Sequence, residues 1–556
     1  MIDELTAHQT PTIDVLLVED LVQQRLSARG LAAALRAAGL SAQLAHFGPG
    51  DDPAHIVAMA RRTQPRLIVL SILFAHLVAE NLDLASHLRA AGLTAHLTMV
   101  GPLPAFAYAD LLAACPALDS VLRAPFGVSR GLYAAAGLAD MAAGLRDGAD
   151  WQSTPGLAYR CPALRANPLP QPTYSLDELP FPARDGGIPA RLGLGFATLE
   201  ASRGCYHRCT FCLPCAFYRA VQAPSYQLRS IPSLVAEMET LYGQGARLFL
   251  FDDEQFLPPP GQRAGRIQAL ADELERRGLK IAFTIKCRAD DVDPALFRRL
   301  KALGLVRVYV GIESGCQATL DLLGKGVSVR RNAQALAELD ELGILADFRC
   351  LLFHPWSTLE TVRADLAFLE QVLPHVATPF TFHEVECYPG TALAERLQAA
   401  DRDKGEPSLP RDRDFRPLDR DFRLAYTIAD SGAELLRRLS RVVFGTRDKE
   451  GGLHHQISQA WYDLVLQQHF RPQQLAADQA RALIESVARL NRESLAVWKE
   501  MLAWVGGGKN YDVGRVNARA ATWAVRINTF DMRVAEEFTT YRSNAESESK
   551  CPQAQR

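Results

Sequence analysis

The chain has 556 residues and a mass of 61.1 kDa, with 61 Lys and Arg against 63 Asp and Glu, a net charge of −2 and 48% hydrophobic residues. That length allows about three domains, the balanced charge argues against nucleic-acid binding led by phosphate neutralisation, and 22% charged residues amid abundant Leu, Val and Ala exclude a largely disordered chain. Eleven cysteines are too sparse for a disulfide scaffold, yet none precedes Cys115 and four, Cys205, Cys209, Cys212 and Cys215, fall close together.

The N-terminal stretch MIDELTAHQTPTID lacks the basic head and apolar core of a signal peptide. No apolar run approaches the roughly 18 residues needed to span a bilayer. The expectation is a cytoplasmic protein with no membrane or nucleic-acid partner, whose cysteines stay reduced and whose clustered thiols serve metal or redox chemistry.

Residues 12–146 alternate continuous apolar strands, expected at 13–18, 42–46, 66–73, 96–100 and 120–122, with Ala-rich helices at 26–38, 55–62, 81–91 and 108–114. Apolar strands separated by helices predict a doubly wound, Rossmann-like parallel sheet over 1–146. Its ligands belong at the carboxyl ends of the strands: Glu19-Asp20-Leu21, Ser71-Ile72-Leu73 and Gly101-Pro102-Leu103-Pro104. Residues 147–194 are Pro- and Gly-rich and read as an ordered connector.

From 195 to 397 the alternation returns. Strands are expected at 197–201, 248–251, 281–285, 306–311, 347–353 and 381–385, with helices at 232–242, 262–277, 294–303, 329–342 and 359–372. Asp293-Pro294 marks a helix start and Ser357-Thr358-Leu359-Glu360 fits a capping box. Six such units predict a partial (β/α)6 barrel whose chemistry gathers at the strand carboxyl ends. Residues 398–556 open with a charge-dense stretch and continue as a mainly helical domain over 433–443, 456–468, 476–505 and 515–541, closed by a frayed tail containing Cys551.

The cysteines follow the first barrel strand as Cys205-x3-Cys209-x2-Cys212. That spacing lets three thiolates from one loop bind three irons of a cubane cluster and leave one iron open. The alternative is a zinc site with Cys215 as fourth ligand, although structural zinc sites usually pair two separated knuckles.

These residues resemble the radical S-adenosylmethionine (SAM) superfamily, and SRGCYHRCTFC, LFLFDDEQF, KCRADDVDPALFRRLKALG, YVGIESGCQATLDLLGKG, ECYPGTAL and SLDELPFPARD resemble its branch with an N-terminal cobalamin-binding domain. The resemblance covers residues 12–397. It implies that Cys205, Cys209 and Cys212 hold a [4Fe–4S] cluster whose open iron takes SAM, with a flavodoxin- or ferredoxin-type protein as one-electron reductant. Phe211 would pack near the adenine, or serve only as core. Asp252, Asp253 and Glu254 would line the SAM pocket, or simply open a helical region. Arg288 and Arg349 are cations suited to the SAM carboxylate. Glu313 and Ser314 would hydrogen-bond its ribose or amino group, a charge directly after an apolar run being hard to explain structurally. Tyr388 would border the pocket, or form an ordinary turn. His354 and His383 are candidate bases, or structural histidines, and Cys215 is a candidate radical or proton donor, or a small buried thiol.

Cobalamin would meet Glu19, Asp20, Leu21, Ser71 and the segment Gly101, Pro102, Leu103, Pro104. The Asp-x-His-x-x-Gly motif of many cobalamin domains is missing after the first strand, where the chain reads Glu19-Asp20-Leu21-Val22-Gln23-Gln24-Arg25. The resemblance therefore implies base-off cobalamin without histidine ligation, the alternative being a degenerate module kept for folding. The expected activity is methylation of an unactivated carbon of a small-molecule or peptide natural-product intermediate. Rearrangement, ring contraction or cyclisation on the same scaffold is the alternative. A methylthiotransferase would need further N-terminal cysteines, and a cobalamin or redox sensor would need no turnover.

Overall fold

The computed structural model describes residues 12–19, 26–72, 75–123, 131–169, 175–191, 194–220, 223–403, 424–445, 453–470, 477–508 and 513–549. The chain divides into two compact units: Met1–Phe256 with Glu386–Ala425, and Leu257–Val385 with Tyr426–Arg556.

The first unit opens with β1 (Val15–Glu19), α1 (Leu26–Ala37), β2 (Ala42–His46), α2 (Ala54–Thr63), β3 (Leu67–Ser71), α3 (Val78–Ala90), β4 (His96–Val100), α4 (Pro102–Ala114), β5 (Ser120–Leu122) and α5 (Gly131–Asp147). The strands pair in the order β2-β1-β3-β4-β5, all parallel. Side-chain alternation explains the two covered faces. Leu16, Val18, Ile68, Leu70, Leu97 and Met99 join the core under α2, α3 and α4, whereas Val15, Leu17, Leu67 and Val69 join that under α1 and α5. In this order the direction of strand addition switches between β1 and β3, the place where such sheets open a crevice at the strand carboxyl ends.

The stretch read as a connector adds to this sheet. β6 (Leu157–Arg160) pairs antiparallel with β5, and β7 (Leu164–Ala166) with β6. Beyond it come β8 (Ala190–Arg191), β9 (Leu194–Leu199), β10 (Ser202–Gly204), α6 (Leu213–Ala220), β11 (Tyr226–Leu228), α7 (Ile231–Gly243) and β12 (Ala246–Phe251). β9 pairs parallel with β12, and β10 forms an antiparallel pair with β11.

The second unit begins with α8 (Pro260–Arg276), β13 (Ala282–Arg288), α9 (Pro294–Ala302), β14 (Leu305–Gly311), α10 (Gln317–Leu322), α11 (Val329–Glu341), β15 (Leu345–Asp347), β16 (Arg349–Phe353), α12 (Leu359–Val372) and β17 (Thr381–Glu384). β13, β14 and β15 form a parallel run, as do β16 and β17. Asp293 caps α9 by accepting from the Leu296 amide at 2.8 Å. The capping box of α12 sits one residue later than expected, at Thr358 and Thr361, because the Ser357 hydroxyl already accepts the His354 amide at 2.8 Å. One expected strand, 347–353, is two, broken at Phe348.

After α13 (Ala392–Asp403), which belongs to the first unit, the second unit closes with α14 (Ser431–Phe444), α15 (Leu453–Phe470), α16 (Ala477–Gly506) and α17 (Val513–Ser549). Much of the expected frayed tail is therefore helical, and Cys551 lies outside the described residues, as does most of the charge-dense stretch. Leu345 of β15 shares a core with Ile457, Trp461, Leu464 and Leu490 of these helices. Buried Asn491 ties α16 to the chain before β17, accepting from the Phe380 amide at 2.8 Å and donating to the Thr378 carbonyl at 3.0 Å. No helix among the described residues is long and apolar enough to cross a membrane.

Candidate cofactor site

Within the first unit, Cys205 leaves β10 and Cys212 enters α6, so one short loop carries all three cysteines. Gly204 launches the loop at φ 81°, and a Cβ there would be driven into the Ser225 carbonyl oxygen. The Cys212 amide donates to the Cys209 carbonyl at 3.3 Å, and the Ala216 amide donates to the Cys212 carbonyl at 3.1 Å, which fixes Cys212 at the helix start. Cys209 is buried, while Cys205 and Cys212 are half-buried. Cys215, buried in the first turn of α6, hydrogen-bonds the sulfurs of Cys205 and Cys212; this contact holds the Cys205 thiol below its ordinary value and drives that of Cys215 upward.

Three thiols on one loop form a donor set that fits an iron–sulfur cluster. Among the described residues no three His, Cys, Asp or Glu side chains converge on a single-ion position.

The acids after β12 divide their roles. Glu254 accepts the Gly204 amide at 3.0 Å and so touches the loop directly. Asp253 is fully buried, accepting the Ser202 hydroxyl at 2.5 Å and the Ala201 amide at 3.2 Å. It braces the strand that delivers the loop, a use different from the expected one on SAM. Burial pushes its carboxyl up to about 7, against the downward pull of the Ser202 hydrogen bond. Asp252 is half-buried at the strand end. Buried Arg203 grips Glu200 through two contacts of 3.0 Å, and Arg229 and Arg184 reach Glu237 at 2.5 and 3.1 Å.

The expected cobalamin residues lie at the carboxyl ends of the first sheet. Buried Glu19 lies 3.7 Å from both Arg29 Nε and His46 Nδ1. Ser71 is buried at the end of β3; Asp20 and Leu21 lie outside the described residues. Gly101, Pro102, Leu103 and Pro104 are not the expected loop. Gly101, at φ 151°, precedes α4, which starts directly at Pro102 because proline at the first helical position gives up no hydrogen bond. A Cβ on Gly101 would be driven into the Ile72 carbonyl.

Still within the first unit, α4 packs beside α6. Phe106 meets Phe217 edge-to-face at 6.0 Å, and Leu213 joins the core of the first sheet. The helix leaving Gly101 thus lies against the helix leaving the cysteine loop. Tyr388 packs on the same core, and its hydroxyl donates to Glu386. Gly390, at φ 81°, abuts the Phe106 ring, and the Leu393 amide reaches the Thr210 carbonyl at 3.0 Å. Phe211 is half-buried on the loop.

In the second unit Arg288 is already engaged, donating to Asp290 at 2.8 Å and to the Lys325 carbonyl. That commitment is structural and departs from the expected role on a carboxylate. Arg349 is exposed at the start of β16, opposite Thr381. Glu313 pairs with Lys325 at 2.8 Å, and Ser314 donates to Asp365 at 2.6 Å. His354 is a structural histidine: Nδ1 accepts the Trp356 amide at 3.2 Å, which leaves the proton on Nε2, 3.2 Å from Thr319 Oγ1. His383 is half-buried on β17, level with Leu351.

Residues 199–366 match the family model of the radical SAM superfamily. This stretch is a radical SAM domain. Its cofactors are accordingly a [4Fe–4S] cluster and SAM. The chain is 24% identical over 315 residues to the "Uncharacterized methyltransferase PH0819" of Pyrococcus horikoshii, covering 54% of this chain and 62% of that one. It is 27% identical over 402 residues to the 4'-phospho-dehydrooxetanocin synthase of Priestia megaterium, covering 66% and 52%. The chain thus spans about half to three-fifths of these relatives. The fold matches that of the cobalamin-dependent SAM radical enzyme OxsB with aqua-cobalamin bound, at TM-score 0.70 and 20% identity over 95% of this chain and 81% of that one.

The radical SAM domain also contains polar residues that were not singled out from the sequence: Arg203, Lys325, Asn332 and Asp365. Lys325 lay inside the motif block already recognised, between Gly324 and Gly326. Asn332 and Asp365 gave no local signal, because their partners lie 18 to 51 residues away.

Proposed function

We propose that the chain is a cobalamin-dependent radical SAM methyltransferase acting on an unactivated carbon of a small-molecule or peptide intermediate. The observation that carries this reading is the packing of α4 on α6, which sets the glycine-launched carboxyl edge of the first sheet beside the three-cysteine loop within one unit. When bound, the cluster with SAM supplies a 5′-deoxyadenosyl radical and cobalamin supplies a transferable methyl group.

The chain's own residues position and shield. Cys205, Cys209 and Cys212 hold the cluster. Glu254 and Gly204 fix where their loop leaves β10, and the buried Arg203–Glu200 pair anchors it from below. Gly101 lets α4 start hard against the Ile72 carbonyl at the sheet edge where cobalamin would bind. Glu313 offers a carboxylate to SAM, buried Ser314 gives its hydroxyl to Asp365 and steadies the turn beside it, and Arg349 is the exposed cation for the SAM carboxylate. Phe211 and Tyr388 supply apolar walls that exclude water. His383 remains as candidate base, and an external flavodoxin- or ferredoxin-type protein is the electron source.

In anaerobically reconstituted protein, Cys209→Ala is expected to lose more than nine-tenths of the bound iron and all 5′-deoxyadenosine formation, measured by iron assay and chromatography, while cobalamin binding persists. Retention of a SAM-cleaving cluster in that variant would overturn the ligand assignment.

The second reading is rearrangement or cyclisation without net methyl transfer. It is favoured by the synthase relative, which aligns over 66% of this chain, more than the methyltransferase relative does.

A further inference from the structure

The segment Ile312-Glu313-Ser314-Gly315 is held by more polar side chains than a turn requires. Glu313 stands in the left-handed region at φ 65°, a conformation that strains a non-glycine residue and persists only where the surroundings enforce it. Three other places in the second unit enforce it. From α12, Asp365, 1% exposed, accepts both the Ser314 hydroxyl and the Gly315 amide at 2.6 Å. From α11, Asn332, fully buried, donates to the carbonyls of Ile312 at 3.0 Å and Ser314 at 3.2 Å. From the turn after α10, the Lys325 ammonium pairs with the Glu313 carboxylate at 2.8 Å.

The packing leaves no slack. A Cβ on Gly311 would lie 2.6 Å from Lys325 Nζ and 3.1 Å from Glu313 Oε1, so the ion pair lies directly over that glycine. A Cβ on Gly315 would enter the Phe368 side chain. The Glu313 carbonyl also accepts the Leu351 amide at 2.7 Å, tying the segment to β16. Stability alone does not call for a strained residue and three buried polar braces, since well-packed apolar groups often do as well as buried ion pairs. Such over-determination is what fixed geometry at a ligand requires.

We propose that Lys325, Asn332 and Asp365 are positioning residues for SAM, holding Glu313 in the one arrangement that can hydrogen-bond it. The inference rests on the SAM role given above to Glu313. Lys325 fixes the Glu313 rotamer through Oε1, so the other carboxylate oxygen is an acceptor aimed by the pair. Asp365, through the Ser314 hydroxyl and the Gly315 amide, and Asn332, through the Ile312 and Ser314 carbonyls, fix the turn that presents Glu313.

The test is SAM titration of the reconstituted, reduced holoenzyme, read by the change in the cluster's electron paramagnetic resonance signal, for wild type, Lys325→Met, Lys325→Arg and Asp365→Asn. Lys325→Met and Asp365→Asn are expected to weaken SAM binding at least tenfold at unchanged cluster content, with Lys325→Arg within threefold of wild type. Should Lys325→Met fail to fold, Asp365→Asn decides by itself, because it changes one atom. Variants that lower the melting temperature but bind SAM as wild type does would show a purely structural brace and overturn the proposal. A wild-type cluster that does not respond to SAM at all would instead overturn the underlying reading, and is recognised because no variant is needed to see it.

Discussion

At Asp253, burial and hydrogen bonding pull the carboxyl in opposite directions, and burial dominates, leaving it at about 7 against an ordinary value of 3.8. Between about pH 4 and pH 7 the folded chain therefore keeps a proton that the unfolded chain has released, so this group lowers stability as pH rises through that window. Asp253→Asn is expected to remove the slope: in thermal scans its melting temperature should gain on wild type between pH 5 and pH 8. Parallel curves would contradict the assignment. The contrast with the cysteines shows what can be read locally. Cys205, Cys209 and Cys212 stand out because their spacing alone suggests a shared ligand, and the structure carries all three on one loop. Asp253 looked like a SAM contact because its partners, Ala201 and Ser202, lie 52 and 51 positions away. Arg288 invited a SAM role for the same reason, since the Lys325 carbonyl it engages comes from another element, and His354 takes the structural one of its two readings, 3.2 Å from the Thr319 hydroxyl.

Among the elements, strands and helices with strong periodicity fell within a few residues of expectation, and β2, β4, β5 and α12 matched it end to end. The departures have distinct causes. β6 and β7 sit in a Pro- and Gly-rich stretch, and their antiparallel pairing with β5 is long-range, so no period announces them. Gly101-Pro102-Leu103-Pro104 reads as a loop by composition, yet two prolines are tolerated in the first helical turn. Gly101 also yields a prediction. Gly101→Ala should cost about 2–4 kcal/mol, from a forced positive φ and a collision with the Ile72 carbonyl, and should reduce cobalamin retention in the same protein. Denaturant unfolding and the visible spectrum of the cofactor measure the two effects. An alanine variant of native stability would show that the close approach of α4 to β3 is not needed.

On the scale of the whole molecule, fold class was legible because repeated β/α alternation, a loop of three cysteines and a long helical finish leave few architectures open. Substrate was not legible. The C-terminal helices pack through apolar cores and an aromatic group of Trp498 with Phe353, Phe382 and Phe444, a pattern that stabilises without naming a ligand. What separates the two chemistries open to this scaffold is the fate of the methyl group of SAM, and that can be followed before any substrate is known. Holoenzyme reconstituted with its cluster and reduced cobalamin should be incubated anaerobically with SAM labelled at the methyl carbon. The account predicts S-adenosylhomocysteine in step with label on cobalamin, both absent without cobalamin, together with 5′-deoxyadenosine that depends on Cys205, Cys209 and Cys212. Formation of 5′-deoxyadenosine with no label on cobalamin and no S-adenosylhomocysteine would contradict methyl transfer and leave rearrangement as the function.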